Sequence, residues 1–183
     1  FSLENIHRNK SLIKVRMKSV KREYLAFIYT QIIQIFIFLG IQLLITIVIA
    51  CINFPFELGY SVHPVLESYN DTIAFVYAFS KYINNPIIAS VLALIYLSIG
   101  LLFISILLYA AYEIKDKKGS ILLVILLLFS VIFGFKTQIG GIWKILFLNN
   151  YLILHHVLFS NPYLLLWTIP IMAISIYVCY KVI

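Results

Sequence analysis

Few side chains in this sequence are of a type and spacing that would support catalysis or metal binding. His155 and His156 are adjacent, so on a helix they point about 100° apart, whereas paired metal ligands on one face need a spacing of four. Cys51 and His63 could pair as nucleophile and base, but no third orienting group or oxyanion-binding loop accompanies them. The sequence also has no glycine-rich phosphate-binding loop. We therefore expect no catalytic residue, no metal and no cofactor in this chain, and an intramembrane enzyme is the least favoured function.

Three glutamines interrupt the first long apolar stretch. Gln31, Gln34 and Gln42 follow one another at steps of three and eight residues, so on a helix they share a face. A side-chain amide that faces lipid has no hydrogen-bond partner. We expect this face to look into a helix bundle or a polar cavity, where the amides either bond between helices or line a translocation path.

The chain begins with a strongly basic segment. Half of the fourteen Lys and Arg residues fall within the first 24 positions. Apolar residues recur there at steps of three and four, with Lys10 at the one missed position: Leu3, Ile6, Ile13, Met17, Val20 and Tyr24. This pattern predicts an amphipathic helix over 1–23 that lies on a membrane surface or offers its apolar edge to a protein partner.

The composition places the chain among polytopic membrane proteins. It is 63% hydrophobic and 11% charged, against about 25% charged residues in soluble domains. The net charge of +7 is confined to one end and two short loops, so nucleic-acid binding is not expected. We predict an all-α membrane domain with about four transmembrane helices, an outer re-entrant segment and the cytosolic amphipathic helix, embedded in a lipid bilayer.

The order of segments follows from the charges and the helix-breaking residues. Residues 24–54 and 86–112 are uncharged and long enough to span, and Asn85-Pro86 is typical of a helix start. The predicted segments are a cytosolic helix at 1–23, spans at 24–54, 86–112, 120–136 and 162–183, an outer loop at 55–85, a cytosolic loop at 113–119 and a re-entrant segment at 137–161.

Polar residues decide the assignment of the re-entrant segment. Asn149, Asn150, His155 and His156 interrupt an apolar stretch of only sixteen residues, which disfavours an independent span. With this segment kept outside, eleven of the fourteen basic residues fall on the cytosolic side, as the positive-inside rule requires. The prediction is a bacterial cytoplasmic membrane protein with both ends of the sequence in the cytosol.

The layout resembles the second half of ABC-2-type transporter permeases, particularly small bacterial ones that export antimicrobial peptides or give immunity to them. The stretches that carry the resemblance are the basic run from Arg16 to Tyr24, the loop from Glu113 to Gly119, and the run from Asn149 to Pro162 before the last helix. Family members have six spans, so the resemblance implies two further spans ahead of Phe1.

The resemblance implies a homo- or heterodimer of permease subunits, each seated on a cytosolic ABC ATPase that holds ATP and magnesium. By position, 8–22 and 113–118 correspond to the two coupling helices of the family. The residues expected at the ATPase interface are Ile13, Lys14, Met17, Lys18, Val20, Glu113, Lys115 and Asp116. The alternative function is a substrate-capture or regulatory membrane subunit of another transport complex.

Overall fold

The uncharged stretches of the sequence form long helices in the computed structural model, which describes residues 20–53, 79–83, 85–136, 141–160 and 162–182. Helix α1 spans Val20–Asn53, and helix α2 spans Pro86–Lys136. A further helical turn covers 79–82. Throughout these ranges the secondary structure is helical with short breaks and no strand, so the predicted all-α fold is confirmed.

Three helical stretches in the described residues are long and apolar enough to cross a membrane. They are Lys21–Asn53, Pro86–Lys115 and Lys117–Gly134. Most of their surface is exposed in the isolated chain, which suits helices that face lipid because the bilayer solvates apolar side chains. The chain is therefore an α-helical, multi-pass membrane protein.

Helix α2 begins at the predicted cap. The Asn85 side-chain oxygen accepts hydrogen bonds from the backbone N–H groups of Ile87 at 2.9 Å and Ile88 at 3.4 Å. These N–H groups have no partner within the helix, and Pro86 fits the first helical position because it lacks an N–H group.

Helix α2 reverses direction near its middle although its backbone stays helical. The Ser120 hydroxyl donates to the Leu108 carbonyl at 3.2 Å across twelve residues, which would be about 18 Å apart in a straight helix. A Cβ atom at Gly119 would lie 2.5 Å from the Ala111 carbonyl oxygen, so only glycine fits this turn. We call residues 86–112 the first arm and residues 120–136 the second arm.

Short helical pieces follow the second arm. They are a 3-10 helix at Gly141–Leu146, α3 at Asn149–Leu152, α4 at Leu154–Ser160 and a 3-10 turn at Pro162–Leu164. The break between α3 and α4 is Ile153, whose backbone is extended with φ −115° and ψ 100°. Helix α5 then covers Leu165–Val182 and contains Pro170.

Two buried clusters define the two ends of the helix bundle. At one end, Tyr24 and Phe27 of α1 pack against Ile106 and Tyr109 of the first arm and against Cys179 of α5. We call this the charged end, because the described bases at the start of α1 and in the α2 turn lie here. The other cluster joins α2, the short helical pieces and the beginning of α5, and its buried members are Phe79, Ala89, Tyr96, Phe103, Leu148, Tyr151, Leu154, Val157, Leu158, Leu164 and Met172. We call that end the distal end.

Among the described residues, helix α1 packs against other helices only along its first half. Its buried apolar residues are Tyr24, Phe27, Ile35 and Leu39, and their spacing places them on one helix face. Beyond Leu39 every residue to 53 is exposed except the half-buried Ala50. In the described part of the chain, the second half of α1 is therefore available to lipid or to another protein.

Candidate functional site

The charged end contains an aromatic cluster that joins three helices. The rings of Phe27 and Tyr109 are stacked at 4.4 Å between centroids, and Tyr24 lies 6.0 Å from Tyr109 and 5.8 Å from Tyr180. We call Tyr24, Phe27, Tyr109, Cys179 and Tyr180 the aromatic cluster. Aromatic contacts of this geometry add to the free energy of burial, so the cluster fixes the start of α1 against the first arm and α5.

Two polar contacts extend this fixation to α5. The Tyr24 hydroxyl donates to the Ile176 carbonyl at 3.2 Å. The Lys21 ammonium lies 5.9 Å from the centroid of the Tyr180 ring, within the range of a cation–π interaction. The basic start of α1 is thus tied to α5 by these two contacts.

A carboxyl group is buried beside the aromatic cluster. Glu23 is only 6% exposed, and Tyr109 is completely buried. None of the described residues hydrogen-bonds to Oε1 of Glu23 or to the Tyr109 hydroxyl.

The residues expected to couple to an ATPase fall into two groups. Ile13, Lys14, Met17 and Lys18 lie outside the described residues, and Val20 is the first described residue of α1. Glu113, Lys115 and Asp116 are in the reversal of α2, where Glu113 is half-buried and Lys115 is exposed. The aromatic cluster brings the start of α1 and this reversal to the same end of the bundle.

The three glutamines lie along α1. The Gln31 side-chain amide donates to the Gln34 side-chain oxygen at 3.2 Å, and Gln34 and Gln42 are exposed on the isolated chain. Their expected role in lining a translocation path stays a prediction. The Gln31–Gln34 bond nevertheless satisfies one donor and one acceptor within α1 itself.

The distal end contains a buried network of neutral polar groups. The Tyr96 hydroxyl donates to the Asn150 carbonyl and is also hydrogen-bonded to the Thr168 hydroxyl at 3.2 Å. Since a phenol has one proton, Thr168 donates in the second bond. The Asn150 side chain donates to the Lys144 carbonyl at 2.5 Å. The network joins the first arm, the short helical pieces and α5.

Close packing against two glycines places α3 between the arms of α2. A Cβ atom at Gly100 would overlap the Tyr151 carbonyl oxygen, and one at Gly134 would lie 3.1 Å from the Asn149 side chain. Among the described residues, none hydrogen-bonds to the Asn149 amide.

The cysteines and histidines considered as reactive groups lie apart. Cys51 is exposed near the end of α1, whereas Cys179 is buried in the aromatic cluster. About 40 Å of helix separates Cys51 from Tyr24, so an intrachain disulfide is excluded. The rings of His155 and His156 meet edge to face at 4.8 Å, and His63 lies outside the described residues.

The sequence did not single out the residues that the structure brings together at either end. Glu23 follows two bases and therefore looks like part of a solvated helix face. Tyr96 and Thr168 are 72 positions apart, and no periodicity connects them. The signal that could have found them is the presence of polar residues within apolar stretches, because a polar side chain in a membrane is unfavourable unless it has a hydrogen-bond partner.

Comparison with protein-family models, curated proteins and solved structures finds none that match this chain.

Proposed function

We propose that this chain is a membrane-spanning permease subunit of an ATP-driven transporter of the ABC-2 type. Its substrate is hydrophobic or amphipathic, such as an antimicrobial peptide that the complex exports or to which it gives immunity. The observation that carries the proposal is the arrangement at the charged end. There the aromatic cluster joins the start of α1 to the first arm, close to the charged reversal of α2. A subunit without a nucleotide-binding loop can use ATP only if such elements transmit a partner's motion.

The charge distribution supports placing the charged end in the cytosol. The described bases near this end are Lys21, Arg22, Lys115, Lys117 and Lys118, whereas Lys81 and Lys144 belong to the distal segments. Bases that flank membrane spans favour the cytosolic side. The proposed location is a bacterial cytoplasmic membrane.

The proposed topology has four spans, formed by α1, the two arms of α2 and α5. The contact of Tyr24 with both Tyr109 and Tyr180 supports it, because these residues lie near three helix ends that this topology puts on one side. The short helical pieces of 141–164 form the re-entrant segment on the opposite side. Their buried polar network supports this, because backbone that is not regular helix is tolerated at membrane depth where protein surrounds it.

The proposed complex contains two permease subunits and a cytosolic ATPase that binds ATP and magnesium. The basic segment before α1 and the reversal of α2 are its docking elements. The aromatic cluster passes a displacement of either element to α5 and the first arm, since packed clusters shift as units.

Topology is tested by labelling from outside the cell with a membrane-impermeant maleimide. The variants are Ser80→Cys at the distal end and Lys117→Cys in the reversal of α2, both exposed, in a Cys51→Ser background. We expect labelling of the first variant only, and labelling of both after permeabilisation. Labelling of the Lys117 variant in intact cells would invert the proposed orientation.

The partner is tested by affinity purification of the tagged chain from native membranes. We expect an ATP-hydrolysing soluble subunit to co-purify, and Ile13→Asp with Met17→Asp to abolish this by burying unpaired charge in the docking groove. The matched control, Lys14→Glu with Lys18→Glu, alters the rim and mainly makes association salt-sensitive. Retention of the ATPase by the Ile13/Met17 variant would refute the docking role, and saturable small-ligand binding without any ATPase would favour the substrate-capture alternative.

A further inference from the structure

Two lysines at the start of the second arm have no role in the proposed function. Lys117 and Lys118 are both exposed, and they begin the membrane-spanning stretch Lys117–Gly134. The ATPase-docking residues assigned above to the reversal of α2 end at Asp116. No acidic residue follows Asp116 in the sequence, so no carboxylate further along this arm balances the two positive charges.

The length of this stretch sets the depth of both lysines in the bilayer. Its 18 residues extend about 27 Å as a helix, slightly less than a hydrocarbon core of about 30 Å. The Cα–Cβ bonds of a helix tilt toward its N-terminus, and the second arm runs from the charged end into the membrane. The side chains of Lys117 and Lys118 therefore lead back toward the surface, which places their ammonium groups at the level of the lipid phosphates.

The side of the second arm that carries Lys117 is turned away from the first arm. Gly119 packs on the first arm, since a Cβ atom there would lie 2.5 Å from the Ala111 carbonyl oxygen. At about 100° per residue, Lys117 lies about 160° around the helix from this contact, and Lys118 lies about 100° from it. Only 6% of the residues in this stretch are buried within the chain, so lipid surrounds the face that carries the lysines.

An exposed apolar stripe continues from these lysines into the membrane. Ile121 and Leu122 lie one helical turn further on, four residues after Lys117 and Lys118, and are 50% and 60% exposed. The exposed apolar residues beyond this turn are Ile125, Leu126, Leu128, Phe129, Ile132 and Phe133. Cationic groups at the membrane surface, followed by an apolar helix face, match the headgroup and the acyl chain of an anionic phospholipid in that order.

We propose that the second arm binds an anionic phospholipid from the leaflet around the charged end. Lys117 and Lys118 donate hydrogen bonds to its phosphate group, and one acyl chain lies along the apolar stripe. Charge complementarity selects this occupant over a zwitterionic lipid, whose headgroup has no net negative charge to pair with the two lysines. The inference depends on the membrane-spanning fold and not on the transport function.

The test measures local lipid preference from the quenching of tryptophan fluorescence by lipids with brominated acyl chains. Trp143 and Trp167 are replaced by Phe in the purified protein, and Leu126→Trp places a single reporter on the apolar stripe. The protein is reconstituted into mixed vesicles of phosphatidylglycerol and phosphatidylcholine with matched chains, in which one lipid or the other is brominated. Each lysine near an anionic surface contributes about 1 kcal/mol, or about fivefold in the binding constant. We therefore expect the reporter to give a binding constant for phosphatidylglycerol about 5 to 30 times that for phosphatidylcholine.

Three double variants of this reporter protein decide the assignment. Lys117→Gln with Lys118→Gln should bring the two binding constants to within about twofold of each other, whereas Lys117→Arg with Lys118→Arg should keep the preference because the charge is retained. Lys81→Gln with Lys144→Gln removes the same charge from the distal segments and should also keep it. Equal quenching by the two lipids with all lysines intact would overturn the proposal and would leave Lys117 and Lys118 to a protein partner. An equal loss of preference in the distal variant would overturn it as well, because net charge alone would then explain the result.

Discussion

Gly100 offers a direct test of how the short helical pieces dock onto α2. A Cβ atom at this position would overlap the carbonyl oxygen of Tyr151 and lie 3.0 Å from a side-chain carbon of Leu152. Both contacts belong to α3, so Gly100→Ala cannot be accommodated by rotating one flexible side chain. Helix α3 must move away from the first arm.

The size of the effect follows from what that movement breaks. Overpacking a filled core by one methyl group costs about 1–3 kcal/mol. Moving α3 also separates the Tyr96 hydroxyl from the Asn150 carbonyl, and buried groups left unpaired cost a further 1–3 kcal/mol or so. We expect Gly100→Ala to lower the free energy of unfolding by about 2–6 kcal/mol on these terms.

Gly40 provides the matched control. It lies in α1, where an added Cβ would meet no atom of another described helix within 4 Å, so Gly40→Ala is expected to be neutral or to stabilise the helix by up to about 1 kcal/mol. Unfolding in mixed detergent micelles, followed by circular dichroism, measures both variants. A double-mutant cycle with Tyr96→Phe should be non-additive, because Gly100→Ala already breaks the bond that Tyr96→Phe removes. Equal stability of the two alanine variants would refute the docking of α3 described here.

Three further predictions follow from other contacts. Ser130→Ala should destabilise the protein by about 1–3 kcal/mol, because its hydroxyl serves both the Leu146 carbonyl and the Leu148 N–H group; Ser98→Ala, which loses only a bond within its own helix, should change unfolding by less than about 0.5 kcal/mol. Oxidation of the wild type should give no reductant-sensitive intrachain crosslink between Cys51 and Cys179 on denaturing gels, and such a crosslink would show that the two helix ends meet. Gln42→Leu should weaken self-association in crosslinking assays while the monomer's circular dichroism stays unchanged, and an unaltered dimer fraction would remove α1 from the proposed subunit interface.

The sequence predicted the helices correctly where helix formation depends on residues that are neighbours in the sequence. The Asn85 cap depends on three consecutive residues, and the long uncharged stretches have only the helix as a way to satisfy backbone groups in a bilayer. The reversal of α2 shows the limit of such prediction. Its charges and Gly119 predicted a loop, whereas the backbone remains helical through the turn. The hydrogen bond from Ser120 to the Leu108 carbonyl joins the two arms there.

The two polar sites depend on contacts between distant parts of the chain. Tyr96 meets Asn150 across 54 residues, and Tyr24 meets Ile176 across 152 residues. Hydrophobic periodicity indicates which face of a helix is buried but not which helix covers it. Glu23 is the clearest case, since its basic neighbours predict a solvated face whereas the residue is only 6% exposed.

The length of α1 connects the fold to the proposed dimer. Its 34 residues extend about 51 Å, well beyond a hydrocarbon core of about 30 Å. Its buried face ends at Leu39, and the exposed Gln42 lies beyond it. An amide at that depth is unfavourable against lipid, and the described residues place no helix over it. A second permease subunit packed along this half of α1 would hydrogen-bond the Gln42 amide and also cover the exposed apolar face. Lipid can cover the apolar face but cannot hydrogen-bond the amide.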